Sequence, residues 1–384
     1  MTGSEKWVCA WGNAISIADR RPENYSKNLT LRYPVSIPFA GSKIRIHFDN
    51  FCGSEDITIN RVCAAASAGG DTVHADTEAA VTFGGKEYVT IPPGTDVCSD
   101  EIAFDVFEGQ DITISFYLKD FTEMRSGVVI TGPLSRGFYA VGDCTSMEEL
   151  PIDLSRYTNT YYFLSGIDVL TDSSNRALIC FGDSITAQAW PDYLQIRTVA
   201  EGYKNTSIIR RAASGTRILR QYDNITYDSY GLKGSVRFPR EINVSGADAV
   251  LIQHGINDII HPVGVRENRF RPWSDLPTAE ELIEGMRGYI KTAREKGLKV
   301  YAGTLLPIYG WRTYADFRDE IRCQFNDWIR TTDEIDGCVD FDLALRDTEN
   351  PAAFAACYDS GDHLHPASKG YERMAAEVPA ELLK

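Results

Sequence analysis

Hydrophobic and polar residues alternate with two different periods along this chain, and the change comes near Leu170. Before it, runs such as Ile44-Arg45-Ile46-His47-Phe48 and Ile112-Thr113-Ile114-Ser115-Phe116-Tyr117-Leu118 repeat every second residue, the period of a strand with one buried face. Ala80-Val81-Thr82-Phe83, Tyr88-Val89-Thr90-Ile91 and Ile102-Ala103-Phe104-Asp105-Val106 continue the pattern, punctuated by Gly, Pro and Asp. Short strands at regular spacing predict an all-β sandwich over residues 1–170.

From Arg176 onward the pattern changes to near-continuous apolar strands separated by helices. The strands are Ala177 to Phe181, Ala249 to Gln253, Lys299 to Leu305 and Cys338 to Phe341, with a further strand-like run at Thr206-Ser207-Ile208-Ile209. The clearest helix opens on the capping box Thr278-Ala279-Glu280-Glu281, carries Leu282, Ile283, Met286, Tyr289 and Ile290 on one face, and stops at Gly297. Others are predicted from about Tyr314 to Ile329 and from Ala367 onward. Apolar strands alternating with amphipathic helices predict a parallel sheet covered on both faces, an α/β domain over residues 176–384. Ligands of such sheets bind at the C-terminal ends of the strands.

Composition narrows the class. The 384 residues are 43% hydrophobic and 24% charged, the range of an ordinary globular chain, and suffice for two domains. A formal net charge of −15 disfavours nucleic acid and anionic membranes as partners, which leaves small neutral ligands as the easier fit. No apolar run is long enough to cross a bilayer. Nine cysteines without a C-x-x-C pair point to reduced thiols rather than a zinc knuckle. With no charged-then-apolar leader at Met1–Trp7, the expectation is a cytoplasmic protein; a leader already removed would make it a secreted one. A homo-oligomer is compatible with this composition.

Two short segments carry chemistry. Gly182-Asp183-Ser184-Ile185 follows the first apolar strand, and Asp362-His363-Leu364-His365-Pro366 precedes the last helix. A serine hydroxyl becomes a nucleophile when an imidazole takes its proton, and a carboxylate holds that imidazole in the required tautomer. Ser184, His365 and Asp362 supply these three groups. Two more segments end at the same sheet edge, Ala212-Ala213-Ser214-Gly215-Thr216 and Gly255-Ile256-Asn257-Asp258. A glycine N–H and an asparagine amide there suit the oxyanion of an acyl-transfer intermediate.

These four blocks, in this order, resemble those of the SGNH hydrolases, also called the GDSL esterase/lipase superfamily. The resemblance covers residues 176–384 and implies a flavodoxin-like three-layer α/β/α fold. It implies Ser184 as nucleophile, His365 as general base and Asp362 as its orienter, with an oxyanion hole of the Ser184 N–H, the Gly215 N–H and the Asn257 side chain. It implies no cofactor. The chain departs from the commoner pattern after Thr186, where Ala187-Gln188-Ala189-Trp190 replaces an Asp-Gly pair, and at Arg210-Arg211-Ala212-Ala213-Ser214-Gly215, which lacks the preceding Asn and Gly. The first half is similar to the jelly-roll-like β-sandwich attached to two-domain bacterial members and to carbohydrate acetylesterases.

Further residues invite a role in substrate binding: Asp183, beside the nucleophile; Trp190 and Trp273, whose flat faces suit a sugar ring; and His254, which with His261 flanks the Asn block. The bland alternatives are core aromatics for the tryptophans and hydrogen-bonded strand ends for the histidines. His363 and His365 at i and i+2 lack a third ligand, so no metal is expected. Residues 261–277 form a long polar insert of the kind that serves as a lid or binding loop. The expectation is a serine esterase releasing short acyl groups, acetyl foremost, from a sugar or oligosaccharide. The alternatives are an esterase or lysophospholipase acting on soluble lipid or aryl esters, and, in another class, an inactive carbohydrate-binding module.

Overall fold

The structure, a computed structural model, describes residues 4–17, 24–151, 155–221, 230–261 and 273–384. The chain forms two compact units. One comprises Met1–Ala177, Thr198–Ile209 and Val244–Gly246; the other comprises Leu178–Arg197, Arg210–Asn243 and Ala247–Lys384.

The first unit is built on two antiparallel sheets. In one, Gly41–Asp49 lies between Leu164–Asp172 on one side and the short strands Asp96–Cys98 and Ile102–Val106 on the other, with Glu5–Gly12 outside Leu164–Asp172. In the other, Gln110–Leu118 pairs with both Leu29–Ile37 and Arg61–Gly69. Period-two sequences turn one row of side chains inward, and Phe48 of the first sheet meets Phe116 of the second edge-on, with centroids 5.1 Å apart. One charge is buried beside this core. The Arg32 guanidinium donates to Ser115 Oγ and to the backbone carbonyls of Asp71, Cys144 and Met147, which satisfies a cation that would be costly to bury unpaired. The expected strand Ala80 to Phe83 shortens to Ala79–Ala80, because Phe83 instead exchanges hydrogen bonds with Lys86 across a tight turn.

The parallel sheet orders its strands as Thr206–Ala212, Arg176–Gly182, Ala247–Gln253, Lys299–Gly303 and Gly337–Val339, which is 2-1-3-4-5 in chain order. This is the flavodoxin-like order, whose reversal of winding opens a crevice between the first and third strands. Ala247–Gln253 and Lys299–Gly303 pair in parallel, as do Lys299–Gly303 and Gly337–Val339. Ala177 to Phe181 and Ala249 to Ile252 are fully buried, as strands covered on both faces must be. The predicted capping box at Thr278 is present, and the helix it opens, Ala279–Glu295, buries Leu282, Ile283, Met286, Tyr289 and Ile290. Helix Ser368–Glu377 is closed by Arg197, which donates to the carbonyls of Ala375 and Val378 and so meets the negative end of the helix. The last strand ends at Val339 rather than Phe341, because Asp340 caps a short helix, Phe341–Leu345, by accepting the Leu343 N–H at 3.1 Å. Helices Trp190–Ala200 and Gly234–Glu241 go beyond the elements predicted from sequence.

Gly182 ends the first strand in a space too small for any side chain. A Cβ there would lie 2.4 Å from both the Gln253 carbonyl oxygen and Thr186 Oγ1. Gly182→Ala should therefore destabilise the protein by about 1–3 kcal/mol, as overpacking does, lowering its melting temperature by several degrees. Differential scanning calorimetry checks this, and a melting curve identical to wild type would contradict it.

Candidate active site

The nucleophile strand leads directly into a short helix, Ser184–Ala187, whose N-cap is Asp183. The Asp183 carboxylate accepts the Ile185 N–H at 3.1 Å, so the side chain expected to face substrate is instead a buried cap. Ser184 is 9% exposed. Its hydroxyl lies 2.9 Å from His365 Nε2, and His365 Nδ1 lies 2.6 Å from Asp362 Oδ2. The carboxylate beside Nδ1 fixes the proton there, which leaves the Nε2 lone pair facing the serine hydroxyl.

The acid is itself held by backbone. Asp362 Oδ1 accepts the N–H groups of Leu364 at 2.9 Å and His365 at 2.8 Å, and the Ser360 hydroxyl at 3.1 Å. Burial pushes the Asp362 carboxyl up, but these bonds and that from the His365 ring outweigh it and hold the group below the usual carboxylate range. The loop around it is closed by two backbone bonds, Ser360 N–H to His365 and Ala367 N–H to Tyr358.

The candidate oxyanion donors are fixed to one another. Gly215 has φ +79°, and a Cβ there would lie 2.0 Å from the Tyr230 ring, so only glycine fits. Asn257, in the short helix Ile256–Ile260, donates to the Thr216 carbonyl at 3.1 Å. Asp258 accepts the N–H groups of Ile218 at 2.7 Å and Leu219 at 3.0 Å. The Gly block is also bound to the nucleophile strand, since the Gly182 carbonyl accepts the Ala213 N–H at 3.2 Å. Thr216 and Asp258, which lie inside the Gly and Asn blocks, tie those two blocks together, a role that their sequence position does not reveal.

Two expected substrate contacts are corrected. His254 is fully buried: its Nε2–H donates to the Thr216 carbonyl at 3.0 Å and its Nδ1 accepts the Tyr289 hydroxyl at 3.1 Å. Burial, together with Arg237, pushes its pKa down to about 3, so it stays neutral and positions Thr216 rather than touching a ligand. Trp190 is also fully buried; it donates to Thr186 Oγ1 at 3.3 Å and packs on Phe341. Trp273 is 43% exposed, its ring 5.6 Å from that of Phe317. His261 is buried, its ring 5.0 Å from Tyr230. The insert expected as a lid falls, over residues 262–272, outside the described residues. Among the described residues no cluster of three His, Cys, Asp or Glu side chains could hold a metal.

The geometry therefore unites a serine, an imidazole and a carboxylate in hydrogen-bonded series, beside a glycine and an asparagine locked to one another. Residues 180–373, just over half of the chain, match the GDSL-like lipase/acylhydrolase family. The chain belongs to that family. Ester hydrolysis is the reaction class this membership indicates. No curated protein matches the chain. Among solved structures, a GDSL-like lipase from Bacteroides thetaiotaomicron is 19% identical, with 54% of this chain and 87% of that one aligned at a TM-score of 0.39. The lipase/acylhydrolase from Enterococcus faecalis is 21% identical over 54% of this chain and 95% of its own, at 0.40. An acetyl xylan esterase is 18% identical over 52% and 96%, at 0.38.

Ser184→Ala should abolish ester turnover, and Asp362→Asn should lower kcat by about 10⁴-fold by favouring the wrong His365 tautomer. Steady-state kinetics on p-nitrophenyl acetate check both, and near-full activity in Asp362→Asn would show that another group orients the imidazole. A separate prediction concerns Asp183, whose carboxyl burial pushes up to about 7. Between the ordinary 3.8 and about 7 the folded protein keeps a proton that the unfolded chain releases, so this group's contribution to stability is lost as pH rises through that window. The melting temperature of Asp183→Asn, relative to wild type, should thus climb from about pH 4 to pH 7 and then level off. A difference that does not change with pH would contradict it.

Proposed function

We propose that the protein is a serine esterase that removes short acyl groups, acetyl foremost, from a sugar or small oligosaccharide. The observation that carries this reading is the series Ser184 Oγ, His365 Nε2, His365 Nδ1, Asp362 Oδ2, with links of 2.9 and 2.6 Å. As Ser184 Oγ attacks the ester carbonyl, its proton passes to His365 Nε2 and the carbonyl becomes a tetrahedral oxyanion facing the donors of Ser184, Gly215 and Asn257. His365 returns the proton to the leaving alcohol. The acyl group remains on Ser184, and a water deprotonated by His365 releases it as the acid. Removing one oxyanion donor, as in Asn257→Ala, costs about 10²–10³-fold in kcat for such sites.

A sugar alcohol as leaving group is supported by the half-exposed Trp273 on the same unit, since pyranose rings stack on flat aromatic faces. Its exposed neighbour Phe317 also favours a second reading, an esterase or lysophospholipase acting on lipid or aryl esters. A p-nitrophenyl ester series from acetate to octanoate, run beside acetate release from acetylated xylo- and manno-oligosaccharides, separates the two. We expect activity concentrated on acetate, with Ser184-dependent release from the oligosaccharides. Preference for longer chains, with no acetate released from sugars, would move the protein to the lipid reading. Oligosaccharide binding with no Ser184-dependent turnover of any ester would identify an inactive binding module.

A further inference from the structure

The segment after strand Lys299–Gly303 is tied to both sides of the active site. Thr313 Oγ1 donates to the Ile260 carbonyl at 2.8 Å, at the end of the helix that carries Asn257. Gly310, with φ +93°, lies against the His363 ring, two residues from the base: a Cβ there would be 2.7 Å from His363 Cγ. Tyr309 and Tyr314 flank this anchored stretch; Tyr309 is 49% exposed, its ring 5.0 Å from and edge-on to that of Tyr314. A second exposed pair of rings, Phe317 and Trp273, lies with centroids 5.6 Å apart. The turn that carries Trp273 is in turn fixed to the Gly block, because Asp275 pairs with Arg217 at 2.8 Å and with Arg220 at 3.1 Å.

His363 adds strain beside this segment. It is a non-glycine residue at φ +63°, a conformation that costs energy and tends to persist where surrounding bonds impose it. Asp359 imposes it by accepting both the His363 N–H at 3.1 Å and its Nδ1–H at 2.5 Å. The ring's Nε2 has no partner among the described residues, and the side chain is about half exposed.

We propose that Tyr309, backed by Tyr314, is the platform on which the leaving-group sugar stacks, with Phe317 and Trp273 a second ring pair for a further sugar unit, and that His363 Nε2 hydrogen-bonds one of the hydroxyls. The proposal rests on the esterase reading and names the residues that set its alcohol specificity. Exposed flat rings beside polar groups suit a pyranose, which has apolar C–H faces and a hydroxyl edge. An acyl chain would need an enclosed apolar slot to gain comparable burial. None of these residues takes part in bond making.

The test compares KM for acetylated xylo-oligosaccharides with KM for p-nitrophenyl acetate in wild type, Tyr309→Ala, Tyr309→Phe and His363→Ala. Tyr309→Ala should raise the oligosaccharide KM about five- to tenfold more than the aryl-ester KM, and Tyr309→Phe should restore most of the loss, since stacking needs the ring and not the hydroxyl. His363→Ala should raise the oligosaccharide KM selectively as well. An equal loss on both substrates, or no change on the oligosaccharide, would overturn the platform. Wild-type protein that hydrolyses p-nitrophenyl acetate but no acetylated oligosaccharide would overturn it too, leaving the esterase reading intact. Only failure on every ester would count against the esterase reading itself.

Discussion

The close approach of two strand ends at Gly182 sets the position of everything in the site. With no side chain at Gly182, the end of the first strand can lie against the Gln253 carbonyl, and the strand order puts Gln253 at the end of the neighbouring strand. The Gly182 carbonyl is then free to accept from Ala213 and from the buried Arg237, whose Nη2 reaches it at 3.1 Å. The starts of the Ser, Gly and Asn blocks thus meet through backbone, before any functional side chain is considered. Placement by sheet backbone is more exact than placement by surface loops, because buried strands are fixed on both faces.

Electrostatic roles divide by burial. Two groups beneath the site are held by specific bonds: His254 is kept neutral and in one tautomer between Tyr289 and Thr216, and burial pushes the Asp258 carboxyl up to about 6 while two backbone N–H groups bind it. Above them, the Asp362–His365 pair is partly open to solvent, and the bonds to Asp362 favour its charged form. On the proposed mechanism, that charged carboxylate would stabilise the imidazolium formed as Ser184 attacks, whereas a charge on His254 would face a low dielectric. A buried scaffold fixed by hydrogen bonds and the Arg237–Glu241 ion pair beneath a half-exposed His–Asp pair suits the transfer of a single proton between Ser184 and His365.

The parts of the fold readable from sequence were those where one local rule decides. Period-two runs marked the strands Gly41–Asp49 and Gln110–Leu118, and the Thr278 capping box marked the start of Ala279–Glu295. The Ser, Gly, Asn and His blocks were visible because each packs its chemistry into a few contiguous residues. Other features depend on contacts distant in sequence. Helix Gly234–Glu241 opens on glycine and contains Pro239, so it carries little local signal and owes its place to buried Phe238 and Arg237. Whether Trp190 and His254 faced a ligand or the core could not be read from their neighbours, since burial is set by elements far along the chain. Tyr309 lies in a loop without a motif, whose place after a strand of the parallel sheet is the one available clue, and Phe317 sits in the first turn of the predicted helix, observed as Asp316–Thr331, where periodicity does not say what an exposed ring faces.

The central claim is that Ser184 alone is the activated nucleophile, and covalent labelling tests it most directly. The protein is treated with a fluorophosphonate and examined by intact-mass spectrometry and peptide mapping, beside His365→Ala. The account predicts one adduct per chain, on the peptide containing Ser184, formed far more slowly in the variant. An adduct on another residue, or labelling of Ser184 at the same rate without His365, would contradict it.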